Sequence, residues 1–258
     1  MKILTVNINS IRAHIGGFLA ILESREYDVI AVQELKCEDA AFPHIMFDSL
    51  GYNIKVHGQK SYNGVAVFSR PSIEDAVCGM PDYADPNVRF IECLIDGRIR
   101  LINVYMPNGD DIDSPKFPYK IEWMKKFDEY IYRWAASEEP VIVCGDFNVA
   151  IEDRDVWNPK AYEGSSISAP PARKIMLEWI GPNAPWTDEY RHFHPDEIGY
   201  TWFGYRGANA VENSRGLRLD YFMTNKAAAG MVKDCRIDMR PRLADKPTDH
   251  AGLALELV

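Results

Sequence analysis

The chain has 258 residues, of which 47% are hydrophobic, 12% aromatic and 26% charged, and its formal net charge is −9. These proportions are typical of a folded globular protein and exclude a disordered or low-complexity chain. The longest apolar runs span about six residues. A transmembrane helix needs roughly 20, so we expect no membrane-spanning segment.

The five cysteines show no Cys-x-x-Cys spacing, which favours reduced thiols over a zinc ribbon or a disulfide framework. The first residues are predicted to form a short strand, with no signal-peptide hydrophobic region. We therefore expect a cytoplasmic protein with no membrane partner. No repeat or linker interrupts the sequence, which predicts a single domain over residues 1–258.

The charge is unevenly distributed along the chain. Residues 201–250 hold nine basic side chains, Arg206 among them, against six acidic ones, so this segment is +3 and the remainder is −12. A local basic face on an acidic body can bind phosphates, because screening confines each field to about 8–10 Å. An ordinary solvated surface is the alternative interpretation, and by itself it is the more frequent one.

Short β-branched runs predict ten strands, and hairpin-like pairs beside strand–helix–strand units predict an α/β fold with a mixed sheet system covered by helices. The predicted strands are Lys2–Asn7, Val29–Gln33, Tyr52–His57, Gly64–Ser69, Phe90–Ile95, Ile99–Tyr105, Pro140–Cys144, Leu217–Thr224, Arg236–Met239 and Ala251–Leu257.

Helices are predicted to begin near Ile11, Ala40, Lys116 and Pro171. The clearest runs from about Lys116 to Ala136, where large apolar residues recur at three- and four-residue spacing and predict a core-facing stripe. That stripe consists of Ile121, Met124, Phe127, Ile131 and Trp134. Residues 108–118 and 158–171 are rich in Pro, Gly, Asp and Ser and are predicted to be mainly loops.

Polar side chains stand at one end of six predicted strands. They include Asn7 with Asn9, Gln33 with Glu34, Asn103 with Tyr105, Asp146 with Asn148, Asp220, and Asp249 with His250. In layered α/β sheets such ends can meet at one rim, where sites tend to form. Buried carboxylates are costly unless they are paired, hydrogen-bonded or metal-bound, so their joint occurrence favours a site.

Each of these residues also has a structural interpretation. The segment 145–148 can be a simple turn, and so can Asp249 with His250. Asp220 can be a buried acid that holds Arg218 or a backbone amide. His192 and His194, the one close histidine pair in the sequence, are interpreted as structural or surface residues.

The candidate ligands indicate which metal would bind. Glu34, Asp146, Asp220 and Asp249 offer hard carboxylate oxygens, and Asn7 and Asn148 add amide oxygens, with few thiols or imidazoles nearby. This donor set favours Mg²⁺ or Mn²⁺ over zinc.

Taken together, the motifs resemble those of the exonuclease III family of apurinic/apyrimidinic endonucleases, within the endonuclease/exonuclease/phosphatase superfamily. The motifs that occur in the family's order are 7–9, 33–34, 62–66, 103–109, 145–148, 200–203, 216–220 and 248–250, and the resemblance covers essentially the whole chain. Single motifs also occur in inositol-polyphosphate phosphatases and sphingomyelinases. Trp202, the segment 216–220 and the helix start at Lys116 are closer to the DNA-repair branch.

The resemblance implies a four-layered α/β sandwich, in which two packed mixed β-sheets are flanked by helices. It implies a monomeric hydrolase with Mg²⁺, or Mn²⁺, as cofactor and double-stranded DNA with abasic sites or blocked 3′ ends as partner. The implied activities are incision 5′ to abasic sites, 3′–5′ exonuclease action and 3′-end processing.

Two alternatives remain open: a related phosphatase or phosphodiesterase acting on small or lipid phosphates, and a non-catalytic nucleic-acid-binding module. The intact set of acids, amides and histidine disfavours the module, and the lack of an exposed apolar anchoring segment disfavours a lipid substrate.

By position, the resemblance implies that Glu34 is the principal metal carboxylate, with Asn7 beside it and Asp249 near the metal. It implies that Asp146 and Asn148 orient or deprotonate the attacking water and hold the phosphate. The sequence leaves open whether Asp146 or His250 is the base.

The resemblance also implies a histidine pair and a set of substrate contacts. His250 would be hydrogen-bonded to Asp220, and Tyr105 would donate to the phosphate. The implied substrate-binding residues are Asn9, Tyr62, Asn63, Asn108, Arg173, Trp202, Leu217 and Leu219. Trp202 and the two leucines fall where the family builds its pocket for an abasic sugar, although the leucines can equally be core residues.

Four positions depart from the family pattern. Ser10 stands where the family usually has Gly, and Val88 and Ala172 replace an Arg and a Glu. Asp111 lies where some relatives have an Arg that enters the duplex. These departures leave the predicted metal and phosphate chemistry unchanged and concern the grip on duplex DNA.

Overall fold

The computed structural model describes residues 1–205 and 210–258, and its strands form two six-stranded sheets. The strands are β1 (Lys2–Asn7), β2 (Val29–Gln33), β3 (Asn53–His57), β4 (Val65–Ser69), β5 (Ile73–Cys78), β6 (Phe90–Ile95), β7 (Ile99–Tyr105), β8 (Val141–Asp146), β9 (Thr187–Asp188), β10 (Asp220–Thr224), β11 (Val232–Asp238) and β12 (Gly252–Leu257). The α-helices are α1 (Ile15–Glu23), α2 (Lys116–Ala135), α3 (Pro170–Ile180), α4 (Glu189–Phe193), α5 (Lys226–Ala229) and α6 (Arg240–Leu243).

Both sheets are mixed, as predicted. The strand order is β11-β12-β1-β2-β4-β3 in the first sheet and β5-β6-β7-β8-β10-β9 in the second. The central pairs β1–β2 and β7–β8 are parallel, and the remaining pairs are antiparallel. Polar residues that follow β1, β2, β7 and β8 therefore lie at the carboxyl ends of parallel strands.

Three large apolar cores separate four layers, which confirms the predicted α/β sandwich. One core lies between the sheets and takes residues from both, including Ala31 and Leu253 from the first and Leu101 and Phe222 from the second. A second core packs α1 on the outer face of the first sheet. A third packs α2 and α3 on the outer face of the second sheet.

The long helix confirms the periodicity argument. Met124, Phe127 and Ile131 are buried in the core beneath α2, and Ile121 and Trp134 pack against its margin. The helix ends at Ala135, one residue before the predicted end.

Elements with weak apolar patterns were missed or placed inaccurately. The edge strand β5 is mostly exposed and carries acidic residues, and β9 has two residues, so neither shows a clear alternation. Helices α4, α5 and α6 have four or five residues, too few for a helical period to emerge. Helix α1 begins at Ile15 rather than near Ile11, the helix predicted near Ala40 is a 3₁₀ turn, Asp39–Ala41, and β11 begins at Val232 rather than Arg236.

A polar contact buried between the sheets joins the two central strands. Gln33 of β2 donates its amide to the Asn103 Oδ1 of β7 at 2.7 Å and also to Thr5. Asn103 in turn donates to the backbone carbonyls of Val32 and Ala66, across the interface. Both amide side chains are fully buried, so these hydrogen bonds set how the two sheets sit on each other.

None of the helices within residues 1–205 and 210–258 combines the length and the apolarity that crossing a membrane requires.

We predict that Asn103→Ala lowers the free energy of unfolding by about 3 kcal/mol, because it removes the buried hydrogen bonds from Asn103 to two carbonyls and from the Gln33 amide to Asn103. Urea unfolding measures this loss. Asn53→Ala is the matched control: Asn53 also donates to backbone carbonyls, but at an exposed strand end where water can replace it. Its loss should stay below about 1 kcal/mol. Equal losses from the two variants would contradict the argument.

Candidate active site

The site forms where the ends of strands from both sheets meet. Asn7 ends β1, Asp146 ends β8, and Asn7 Nδ2 donates to Asp146 Oδ2 at 2.9 Å across the interface. Asp220 at the start of β10 is paired in register with Asp146. His250 precedes β12, which runs antiparallel to β1 and so begins at the same rim. The topology thus brings together residues that lie more than 200 positions apart in the sequence.

A buried acid–histidine–acid array lies at the centre of this rim. His250 Nδ1 is 2.9 Å from Asp220 Oδ2, and His250 Nε2 is 3.7 Å from Asp146 Oδ2. All three side chains are buried, with exposures of 3% or less. Asp220 therefore pairs with His250, not with Arg218, and the structural interpretation of Asp220 as the partner of that arginine is wrong.

The charges within this array shift each other's titration. Burial raises the pKa of Asp146, and the nearby Asp220 adds to that effect while His250 opposes it. Burial acts against the charged form of His250, but the adjoining Asp220 carboxylate outweighs it, so the pKa of His250 is raised. His250 is thereby held as an imidazolium between two acids.

Glu34 faces the same rim from the end of β2. Its Oε1 accepts the Asn7 amide at 2.8 Å, and its Oε2 lies 2.8 Å from the Lys36 ammonium. Lys36 also donates to Asn9 Oδ1. Two positively polarised groups are thus gathered on the carboxylate predicted to bind a cation.

The residues present fit a hard divalent cation. Glu34 and Asn7 are in direct contact and offer carboxylate and amide oxygens. Across residues 1–205 and 210–258, no three His, Cys, Asp or Glu side chains form a metal cluster by themselves. Mg²⁺ is suited to this arrangement, because it keeps several waters and needs only one or two protein carboxylates beside a substrate phosphate.

Asp249, also predicted near the metal, is held in place by two side chains. Its Oδ1 accepts from Asn9 at 2.9 Å, and its Oδ2 accepts from the Trp202 indole at 3.0 Å. Asp249 thus joins the loop after β1 to the segment that carries Trp202.

Donors suited to a phosphate lie beside the carboxylates. Asn148 Oδ1 accepts from Asn108 at 2.9 Å, and its own amide donates to the Met106 carbonyl. Tyr105 is hydrogen-bonded to Glu34, and burial, followed by the charges of Glu34 and Asp146, raises the pKa of Tyr105 well above its usual range. Tyr105 is therefore a neutral phenol that can donate a hydrogen bond.

The backbone at the rim is held in conformations that most residues avoid. Asn9, Ser10, Glu34, Asn63 and Asn148 all have positive φ, with Ser10 at +97°. Left-handed conformations of this kind cluster at functional sites, where surrounding contacts compensate the strain. Ser10 thus adopts a backbone conformation that favours glycine.

Gly145 is required in the turn that carries Asp146. Its φ is +139°, and a Cβ at this position would lie 1.9 Å from the Val104 carbonyl oxygen of the neighbouring strand. The Gly-Asp pair therefore lets β8 approach β7 closely just where the two catalytic candidates Tyr105 and Asp146 emerge.

Two clefts receive the remaining predicted substrate residues. Tyr62, which is 71% exposed, and Asn63 line a cleft with Asn108 that opens beside Tyr105. Arg173 lies in a different cleft, where it donates to the Ala150 carbonyl and pairs with Asp153 at 2.9 Å.

The leucines predicted in the sugar pocket are buried. Leu217 and Leu219 form a small apolar cluster with Ala150 and Val156, apart from the three main cores. Trp202 packs against this cluster and is only partly buried. The leucines thus form a floor, and Trp202, with Tyr162 and Ile167, supplies the accessible apolar surface.

Three basic residues of the segment 201–250 are paired with acids. Arg218 is 2% exposed and pairs with Asp155 and Asp188, and Arg236 and Arg240 pair with nearby acids. Arg206 lies outside the described residues. His194 Nε2 donates to the Cys235 carbonyl at 2.8 Å, and His194 Nδ1 lies 2.7 Å from the Glu197 carboxylate. His192 is exposed.

Three basic residues at the site were not predicted from the sequence. Lys36 stands two residues after Glu34, and Arg89 lies over the Tyr105 ring at 4.9 Å. Lys120 is buried under Asn108 and Asn148, and the signal was present: it falls on the apolar stripe of α2, at three and four residues from Trp123 and Met124.

Comparison with known proteins identifies relatives along the whole chain. Residues 4–250 match the model of the Endonuclease/Exonuclease/phosphatase family. Exodeoxyribonuclease III of Haemophilus influenzae is 30% identical, with 99% of each chain covered. An AP endonuclease from Archaeoglobus fulgidus superposes with a TM-score of 0.93 at 34% identity, and a 3′ phosphatase from Neisseria bound to a product DNA hairpin does so with 0.93 at 33%; each match covers 100% of this chain and 99% of the other.

The family match, the relative of equal length and the shared sandwich agree with the array of Glu34, Asp146 and His250 at one rim. The chain therefore belongs to the endonuclease/exonuclease/phosphatase family and, within it, to the exonuclease III-like AP endonucleases, a group of hydrolytic enzymes.

Proposed function

We propose that the protein is a Mg²⁺-dependent DNA-repair phosphodiesterase that incises duplex DNA on the 5′ side of abasic sites and also processes 3′ ends. The observation that carries this proposal is the Asp220–His250–Asp146 array beside Glu34 and Asn7 at a rim built by both sheets. Such a set places a base, a cationic hydrogen-bond donor and a hard cation site side by side at one rim.

Asp146 is the group we assign as the base. Burial raises the pKa of Asp146, which makes it a better proton acceptor than a solvated carboxylate. His250, held as an imidazolium by Asp220, has no free lone pair with which to take a proton. Asn148 donates its backbone N–H to Asp146 Oδ1 at 2.9 Å and so fixes the orientation of that carboxylate.

The remaining donors are assigned to the phosphate. Negative charge grows on the non-bridging oxygens as water attacks, and His250 and Asn148 can each donate a hydrogen bond there. Tyr105 can donate to the same oxygens when its hydroxyl turns from Glu34 to the phosphate. Asn108 keeps Asn148 oriented through their mutual contact.

Glu34 and Asn7 would hold the cation, with Asp249 close enough to the rim to act through water. When bound, Mg²⁺ supplies Lewis acidity that neutralises developing phosphate charge. Lys36, which forms an ion pair with Glu34 in this structure, would remain a hydrogen-bond donor beside the same carboxylate.

An abasic site suits the apolar surface next to the array. A sugar that lacks its base can enter a pocket lined by apolar side chains, whereas an intact nucleotide stacked in the duplex would not fit there. Trp202 supplies such a wall and is tied to the rim through Asp249, with Leu217 and Leu219 as the floor. The DNA strand next to the abasic site would contact Tyr62, Asn63 and Asn9. Arg173 would contact the DNA farther from the abasic site.

We propose 3′-end processing as well, because the relatives include both an AP endonuclease and a 3′ phosphatase. We further propose that the protein acts in the cytoplasm, since its five cysteines are unpaired and four of them are buried. We also propose that it acts as a monomer, as the family resemblance implies.

The proposal is tested with an end-labelled duplex that carries one abasic site, incubated with Mg²⁺ or with a chelator. We expect incision on the 5′ side of the site and shortening of 3′ ends with Mg²⁺, and neither in the chelator. The same duplex without the abasic site should show end processing only. Absence of both activities, together with hydrolysis of a small phosphate ester, would favour the alternative phosphatase.

We predict that His250→Asn lowers the turnover of the abasic duplex by about 10²–10⁴-fold and changes DNA affinity by less than about threefold. Asn keeps a polar group but cannot carry the charge. Single-turnover rates and equilibrium binding separate the two effects, and His192→Asn, at an exposed position, is the control. Parallel losses in binding and turnover would indicate a structural histidine instead.

A further inference from the structure

Lys120 is a fully buried cation directly beneath the phosphate-binding candidates. Its side chain is 0% exposed and lies among apolar neighbours on α2, where a lysine is unusual. Burial lowers the pKa of Lys120 to about 7, and the charge of Asp146 opposes this shift. The surroundings of Nζ favour the ammonium form, because three backbone carbonyls lie within hydrogen-bond distance of it. A neutral side chain such as methionine would fill this position at less cost, so a charged one calls for an explanation.

The lysine ammonium joins three segments of the site. It donates to the carbonyl oxygens of Asn108 at 3.0 Å, Asn148 at 2.7 Å and Ser166 at 3.2 Å. These residues follow β7, follow β8 and precede α3, respectively. An ammonium has three N–H donors, so each of them is used, and each on a backbone carbonyl.

The surrounding backbone is shaped to admit the lysine. Gly109 has a φ of +87°, and a Cβ there would lie 2.9 Å from Lys120 Cδ and 3.1 Å from the Ser166 Cβ. Ser166 is also bound to this turn, because its hydroxyl donates to the Asn108 carbonyl at 2.5 Å and its N–H donates to Asp110. Only a glycine lets the lysine stem and the Ser166 segment approach together.

We propose that Lys120 is a positioning residue for phosphodiester hydrolysis: by binding the carbonyls of Asn108, Asn148 and Ser166, it fixes the two asparagine side chains at the separation that the phosphate requires. This inference rests on the proposed function of the asparagines. Lys120 is too deeply buried to touch substrate and acts through the residues above it.

The first test is Lys120→Met, which keeps the length and apolar stem but removes all three donors. On the abasic duplex with Mg²⁺, we expect kcat to fall about 10–100-fold with KM within about threefold, because a displacement of about 1 Å in positioned groups can cost about 10²-fold. Lys125→Met, at an exposed position of the same helix, should match the wild type. A folded Lys120→Met protein with wild-type kcat would overturn the proposal.

A double-mutant cycle separates positioning from a general structural role. If Lys120 acts through Asn148, then Lys120→Met lowers kcat much less in an Asn148→Ala background than in the wild type. Losses that multiply in full would overturn the proposal. Wild-type kcat in Asn148→Ala alone would instead refute the proposed function of Asn148, a distinct outcome.

Lys120→Gln keeps the experiment decisive if Lys120→Met does not fold. Glutamine retains two N–H donors and should keep a kcat between those of the wild type and a variant without donors. The same cycle with Asn148→Ala then applies, and multiplied losses again overturn the proposal.

Discussion

The hydrogen bond from Asn7 to Asp146 joins the two sheets at their common rim, and the site depends on that contact. Asn7 ends a strand of the first sheet and Asp146 ends a strand of the second, so neither sheet alone contains a complete site. The buried hydrogen bond between Gln33 and Asn103 sets the same alignment of the two sheets, deeper between them. Packing of apolar faces holds the layers together, whereas these amide contacts determine how the layers are aligned.

Charge is concentrated at the rim at a cost in stability. Asp146 and Asp220 are both buried, and His250 between them offsets their repulsion. The left-handed conformations of Glu34 and Asn148 add strain at the same place. Buried charges and backbone strain gathered at one rim are typical of functional sites.

Much of this arrangement could be predicted from the sequence. The apolar stripe of α2 and the β-branched runs of the central strands predicted the layers, because buried elements carry strong periodicity. The polar residues at the strand ends predicted the rim, and the structure brings Asn7, Asp146 and His250 together there. The edge strand β5 and the helices α4 to α6 could not be predicted, because short or solvated elements lack a period.

The partners of individual side chains were beyond the sequence. The charge count of residues 201–250 suggested a basic face, yet Arg218 is buried between Asp155 and Asp188. The role of Lys120 could not be predicted, because the sequence does not show which groups a charged residue on an apolar stripe will contact. Its partners, the carbonyls of Asn108 and Asn148, lie on loops that reach it only in the folded structure. Such pairings depend on contacts between segments far apart in the chain.

We propose that this rim binds Mg²⁺ through Glu34, beside a bound DNA phosphate. Isothermal titration of Mg²⁺ into the protein, alone and with a duplex nicked at an abasic site, measures this directly. We expect weak binding to the protein alone, at least tenfold tighter binding with the nicked duplex (about 1.4 kcal/mol), and weaker binding in both cases for Glu34→Gln. The exposed control Glu38→Gln should match the wild type. Equal Mg²⁺ affinity with and without DNA, or in Glu34→Gln and the wild type, would contradict Mg²⁺ binding through Glu34 beside a DNA phosphate.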